Sequence, residues 1–373
     1  MIKWIWHFSR FYVTLTASKI LTLGNDQMNL AFLSLLRIFA LIMMEFLKRW
    51  TLPIAMLTGV VAYFVYTSIP ALDSTHAWVN SMVAVIQPLL LFAMLFLTFC
   101  KVHPRDLRLS PWQGWLLLFQ SCLFLALCLL VIAMPQDSHM RVVVEGTMLC
   151  FICPTATAAA VATRKLGGNV GTLMMYTILI NLVVATIVPA MLPFIHPSTP
   201  DASFQGSSFW AAFHLIIIRV FPLLLGPFLL SIILRAIAPG ITEFLSQKRD
   251  LPFYLWAVSL SLAIAVSVKS IVHTQLPWTY QLCLAATSLI ACFMQFYFGR
   301  RMGLKYKDTI SAAQACGQKN TVFIIWLGYT FMTPVTSIAG GFYSIWHNLW
   351  NSYQLRQAEK EKTTPSLHKK GGK

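Results

Sequence analysis

Ten stretches of mostly apolar residues, each close to the length that crosses a bilayer and separated by short polar loops, leave this chain few ways to fold. They lie at about 51–70, 79–100, 112–134, 142–163, 170–195, 209–234, 251–272, 278–299, 309–330 and 332–353. A helix needs about 20 apolar residues to span the hydrocarbon, and in lipid the backbone must bond to itself, which a helix does and an open strand does not. The stretches end at proline, glycine or charge, as at Lys101-Val-His-Pro-Arg-Asp-Leu-Arg108 and Gly167-Gly-Asn169. With 57% hydrophobic and 11% charged residues, the composition lies outside the soluble range. A cytosolic enzyme, a secreted disulfide scaffold and a nucleic-acid binder are excluded. The expected fold is all-α and integral to the membrane, with ten transmembrane helices and the lipid bilayer as its surroundings.

The net charge of +16 fits the same reading. Of the 28 Lys and Arg residues, 24 fall in the N-terminal segment, in alternate loops and in the tail, all on one face if there are ten crossings. The opposite loops hold only Arg141, and Arg219, Lys269 and Lys319 fall inside the runs. The positive-inside rule then puts both termini in the cytoplasm of a multi-pass cell-membrane protein, in the inner membrane if the source is bacterial. Loop charge accounts for the basic excess without nucleic acid.

Three parts of the chain lie outside this scheme or qualify it. Residues 1–50 include an almost apolar stretch, Asn29 to Leu47, interrupted by Arg37 and closed by Glu45, Lys48 and Arg49. An eleventh crossing would move Lys3, Arg10 and Lys19 outside, so an in-plane amphipathic helix is expected; a start at Met43 or Met44 is the alternative. His7 and Arg10 argue against a cleaved signal peptide. The tail 356–373 is basic and expected to be disordered and cytoplasmic. The membrane domain is thus 51–355. Its eight cysteines lie within or at the ends of crossings, and Cys150 and Cys153, a lone C-x-x-C, read as packing rather than as a metal site.

Polar and helix-breaking residues at membrane depth are costly and mark pathways. Two runs carry them. The fourth contains Cys153-Pro-Thr-Ala-Thr-Ala-Ala-Ala160, and the ninth contains Ser311-Ala-Ala-Gln-Ala-Cys-Gly-Gln-Lys-Asn-Thr321. Pro154 removes a helix hydrogen bond and Gly317 loosens a turn, so both helices are expected to break near mid-depth and expose peptide groups. They occupy matching places in the halves 51–195 and 209–355. Five crossings per half is an odd number, so the halves are inverted, and interrupted helices at corresponding positions point to a transport site.

On these residues the sequence resembles the bile acid:sodium symporter family over about 48–355. Cys153-Pro154 with Thr157 resembles that family's Cys-Pro-Gly-Gly-Thr-Ala-Ser-Asn stretch, with Gly168-Asn-Val170 following. Gly317-Gln-Lys-Asn320 resembles Gly-Met-Gln-Asn on its second broken helix. Phe342-Tyr-Ser-Ile-Trp-His-Asn348 resembles the Phe-Ser-Val-Trp-His-Asn run of its last helix. The resemblance implies two inverted five-helix repeats whose discontinuous helices 4 and 9 cross at the membrane centre, and secondary transport by alternating access.

The departures bear on coupling. Positions that carry sodium-binding oxygens in the family correspond here to Ala159, Ala160, Leu173, Ala315 and Lys319, and only Thr177 keeps one. Sodium needs several oxygen ligands, so sodium coupling is not expected. Lys319 places an ammonium where the ion sits in relatives, either as a permanent charge or as a group that releases its proton during the cycle; snorkelling to water is the bland alternative. The cation favours an anionic cargo. The expected substrate and ion site comprises Pro154, Thr155, Thr157, Thr177, Asn181, Gln314, Gly317, Gln318, Lys319 and Asn320, with no cofactor and no metal. Arg141 and Glu145 are placed to pair one turn apart. His214 and Arg219 face a cavity, snorkel to water or bond a neighbouring helix, Lys269 is interfacial, and His347, Asn348 and Asn351 belong to helix packing.

The expected function is secondary transport of a small organic anion, independent of sodium. A sodium-coupled bile-acid-like symporter and a non-transporting membrane receptor on the same fold are the alternatives. An enzyme is disfavoured, since the chain carries no H-E-x-x-H, no G-x-S-x-G and no P-loop.

Overall fold

The computed structural model describes residues 53–195, 209–248 and 251–363. The N-terminal helix, alternative start and signal-peptide readings fall outside these residues, as does the tail beyond 363. The chain divides into two units, Met1–Ile54 and Ala55–Lys373, and the core and both broken helices lie within the second.

The described chain is helical. In order come α1 (Pro53–Thr67), α2 (His76–Cys100), α3 (Pro111–Ala133), α4 (His139–Ile152), α5 (Ala159–Leu166), α6 (Val170–Ile195) and α7 (Phe209–Ile237). The second half of the chain forms α8 (Pro239–Gln247), α9 (Leu251–His273), α10 (Trp278–Lys305), α11 (Thr309–Gly317), α12 (Thr321–Phe331) and α13 (Ile338–Thr363). Six helical stretches are long and apolar enough to cross a membrane by length and composition: Pro70–Cys100, Pro111–Ala133, Val170–Ile195, Phe209–Ile237, Tyr254–His273 and Trp278–Lys305. Two shorter apolar helices are α1 and α12. The fourth and ninth runs are each two helices, α4 with α5 and α11 with α12.

Local chemistry sets the ends. Pro111 occupies the first turn of α3, where no N–H is needed, and Ser110 and Gln113 form a reciprocal capping box ahead of it. α5 stops at Gly167, whose φ of 85° is a left-handed cap that a side chain would oppose. Asn169 Oδ1 accepts from the N–H groups of Gly171 and Thr172 and so caps α6.

Burial follows the logic of a lipid solvent. Leu57, Val85, Leu89, Leu129, Ile218, Leu282 and Ile290 are exposed, an apolar surface far more extensive than water tolerates. Buried inside are Gln87, Gln120, Gln295 and Lys319. One large core cluster joins α2, α3, α4, α6, α7 and α10 to α11, α12 and α13.

Two differences from the sequence reading concern the last run. It begins at Ile338 instead of 332, because Met332–Ser337 turns around Pro334, with Ser337 Oγ donating to Pro334 O at 2.6 Å. It ends at Thr363, so Arg356–Thr363, expected to be disordered, is helical. Arg, Gln, Ala, Glu and Lys are all strong helix formers, and they extend a helix already nucleated in the core.

Candidate functional site

α4 stops because proline follows it. Pro154 has no N–H to continue the ladder and biases the residue before it towards extended backbone; Cys153 has φ −53° and ψ 138°. α11 stops at Gly317, and Gln318 is extended at φ −84° and ψ 106°. A Cβ on Gly317 would collide with the ring of Phe296, so close packing fixes that glycine. Asn320 then caps α12, its Oδ1 accepting from Phe323 N–H at 3.4 Å.

The two interruptions meet. Thr155 and Lys319 face each other across an isolated antiparallel bridge. It is flanked by Asn320 N–H donating to Pro154 O and Ala156 N–H donating to Gln318 O, both at 2.9 Å. Each break therefore satisfies part of the other's exposed backbone, which lipid would leave unbonded. Several further carbonyls are met by side chains of the break itself and of neighbouring helices. Thr155 Oγ1 donates to Ala315 O at 2.7 Å, Tyr343 OH to Gly317 O at 2.9 Å, and Gln295 Nε2 to Cys150 O at 3.1 Å. Gln295 also bonds Tyr343 OH and Gln120 Nε2, and Gln120 Oε1 accepts from Tyr176 OH. This network of α3, α6, α10 and α13 holds both unwound helix ends.

Lys319 lies at the centre with no exposed surface. Its Nζ donates to Cys153 O at 2.8 Å, and its backbone N–H donates to His347 Nδ1 at 3.3 Å. Among the described residues no carboxylate pairs with it. Its surroundings include the buried thiols of Cys150, Cys153, Cys292 and Cys316. The C-terminal ends of α4 and α11 both converge here, and each carries about half a negative charge from its aligned peptides. An ammonium in this position meets two helix dipoles at once.

Gln318 and Asn320 flank Lys319 in the extended segment. Both are buried, and among the described residues Gln318 Nε2 and Asn320 Nδ2 have no hydrogen-bond partner; the same holds for Asn181 Oδ1 and Gln314 Oε1. Buried polar atoms are nearly always paired, so these four amides, each with one end left over, stand out among the described residues. Their other bonds are few: Asn181 Nδ2 donates to Leu224 O on α7 at 3.4 Å, and Gln314 Nε2 donates to Gln354 Oε1 on α13 at 2.8 Å.

Of the residues singled out in the sequence, Pro154, Thr155, Gly317, Gln318, Lys319 and Asn320 come together at the crossing. Gln314 lies one turn back on α11. Thr177 turns to Leu173 O of its own helix at 3.0 Å, and Thr157 is half-buried in the link before α5. Arg141 and Glu145 pair at 3.0 Å, Lys269 donates to Asn80 at 2.8 Å, and His214 and Arg219 are exposed. His347, expected in helix packing, instead accepts from Lys319. The sequence reading missed Gln120, Gln295, Tyr176 and Tyr343. An intramembrane amide in an otherwise apolar run was signal enough for the first two.

Among the described residues no group of three or more His, Cys, Asp or Glu side chains is placed to hold a metal ion. A comparison with curated proteins gives no match. A comparison with protein families matches residues 106–355, from the loop after α2 into α13, to the SBF-like CPA transporter family (DUF4137). The matched region holds both broken helices and the bridge between them, and it agrees with the resemblance to bile acid:sodium symporters. With a match over most of its length and six membrane-length apolar helices, the chain belongs to the SBF-like CPA transporter family.

Proposed function

We propose that this protein is a secondary transporter of a small organic anion, with Lys319 as a built-in cation in place of a coupling sodium ion. The observation that carries the reading is the buried Lys319 ammonium at the crossing, bonded to an unwound carbonyl and paired with no carboxylate among the described residues. A buried charge needs compensation. Helix ends supply part, and an anion bound at the amide face of the bridge supplies the rest through a low-dielectric interior.

The architecture behind this is ten crossings in two inverted halves, 51–195 and 209–355, with the α4/α5 and α11/α12 interruptions as equivalent elements. Alternating access then arises as the helices carrying the crossing move against α2, α7 and α9. The unpaired ends of Asn181, Gln314, Gln318 and Asn320 support a polar cargo. Sodium independence is supported by Ala159, Leu173 and Ala315, all fully buried and without a side-chain oxygen.

The test is uptake into proteoliposomes of a panel of labelled organic anions, in sodium and in potassium, for wild type, Lys319→Arg and Lys319→Gln. Saturable uptake equal in both salts, abolished in Lys319→Gln and partly retained in Lys319→Arg, is expected. Uptake that requires sodium, or that survives in Lys319→Gln, overturns the role of the lysine. A protein that takes up none of the panel while sodium or an anion still raises its thermal stability is instead a receptor on this scaffold.

A further inference from the structure

A second basic residue is placed for a different ligand. Arg235 lies two residues before the end of α7, a helix of 29 residues. At 1.5 Å per residue α7 is about 43 Å long, and the hydrocarbon is about 30 Å thick, so the last turn of α7 sits at headgroup level. The guanidinium is half spent. Nη2 donates to Cys100 O at the end of α2 at 2.8 Å, while Nη1 is buried and has no hydrogen-bond partner among the described residues.

Arg235 lines a groove among α2, α6 and α7, walled by Phe99, Leu107, Ile178, Phe228 and Ile232. The enclosed space is about 50 Å³, well below the roughly 300–1,000 Å³ of sites that swallow a small organic solute. The groove is therefore no second cargo site. It admits one tetrahedral group or a short run of methylenes, with exposed Leu229, Ile232 and Ile233 continuing the apolar wall along α7. The segment on its other side carries exposed Arg105 and Arg108 against one acid, Asp106.

We infer that this groove binds an anionic phospholipid, its phosphate on the Arg235 guanidinium and a chain along the apolar wall of α7. Basic pockets between membrane helices at the headgroup level hold anionic lipids in this way, and the guanidinium charge favours a lipid of net negative charge over a zwitterionic one, whose phosphate comes with its own cation. The ligand joins α2 and α7 to α6, so its binding stiffens that junction. The inference is independent of what the crossing transports, because its readout is lipid retention.

The experiment is native mass spectrometry and thermal unfolding of the whole chain after exchange into vesicles or micelles of pure phosphatidylcholine, or of phosphatidylcholine with phosphatidylglycerol, alongside inorganic phosphate without lipid. Wild type is expected to retain phosphatidylglycerol selectively and to unfold at a higher temperature in it. Arg235→Gln should retain about fivefold less, Arg235→Lys should recover most of the difference, and exposed Arg300→Gln should behave as wild type. An equal loss in Arg300→Gln, or no preference for phosphatidylglycerol in wild type, overturns the assignment. Protection by inorganic phosphate alone to the same extent overturns it in favour of a free-anion site. Should Arg235→Gln fail to fold, the wild-type preference and its suppression by Ile232→Trp, which fills the groove, decide the question.

Discussion

Two buried polar clusters in this protein are built from similar side chains and finished differently. At one end of α4, Arg141 donates to Glu145 at 3.0 Å, to Val131 O and Met134 O at the end of α3, and to Ile195 O at the end of α6; Thr336 donates to the second oxygen of Glu145 at 3.2 Å. Every guanidinium nitrogen has a partner. At the crossing, Gln318 and Asn320 each keep one end without a partner among the described residues, as do Gln314 one turn back on α11 and Asn181 on α6, and Lys319 has no counter-ion among them. The first arrangement ties helices together and leaves nothing to bind. The second is held in place by others, chiefly Gln120, Gln295 and Tyr343, and so keeps its own groups available. Where hydrogen bonding is complete the cluster acts as a joint; where it is left incomplete in a rigid frame, its groups stay open to a ligand, as the proposed function requires.

The hardest way to break the comparison is at the joint. Arg141→Met leaves the Glu145 charge buried without its guanidinium and frees three carbonyls, and removal of one partner from a buried pair costs about 3–5 kcal/mol. The unfolding midpoint in detergent should fall more for this variant than for any change at the crossing. Adding Glu145→Leu should recover part of the loss, because replacing both charges removes the desolvation problem as well. Equal stability of Arg141→Met and wild type would mean the pair is dispensable and the contrast between the clusters is unfounded.

Next in size is the frame around the site. Gln120→Leu removes the donor to Gln295 and the acceptor for Tyr176 OH in one step. Buried groups left unbonded cost about 1–3 kcal/mol, so a clear but smaller fall in the unfolding midpoint is expected. If the crossing depends on this frame, cargo affinity should fall as well, without any contact between Gln120 and the cargo. Unchanged stability together with unchanged uptake would show that the network does not hold the broken ends.

The sequence made the breaks legible and left the frame obscure, for physical reasons. Pro154 and Gly317 act locally, since a missing N–H or Cβ interrupts a helix whatever surrounds it, and the sequence reading placed both breaks within a residue or two. That Thr155 should face Lys319 is a question of register between two segments far apart in the chain, and nothing local fixes it. Gln120 and Gln295 were passed over; an amide in an apolar run is a signal, but one that does not say which carbonyl it will serve. Tyr343 and His347 lay within the most specific of the recognised motifs, yet their bonds to Gly317 and Lys319 depend on how α13 packs against the breaks. The helical extension to Thr363 was missed because charge density was read as disorder, when the same residues propagate a helix once packing has started one.

The smallest expected effect on stability separates the clusters most sharply. Gln318→Leu removes an amide whose Nε2 has no partner, and its backbone carbonyl, which accepts from Ala156, is untouched. Replacing a buried unsatisfied polar group by an apolar one of similar size is near neutral or stabilising, so the unfolding midpoint should stay within the equivalent of about 0.5 kcal/mol of wild type while uptake is lost. Side by side with Gln120→Leu this is the same chemical change, Gln to Leu in a buried position, with opposite consequences expected for fold and function. Two similar falls in stability would mean that Gln318 is already bonded in the resting protein and that the amide face of the bridge is one more joint. Retained stability with retained uptake would leave the site open but move the cargo elsewhere, towards Asn181 and Gln314, where the same paired measurement applies.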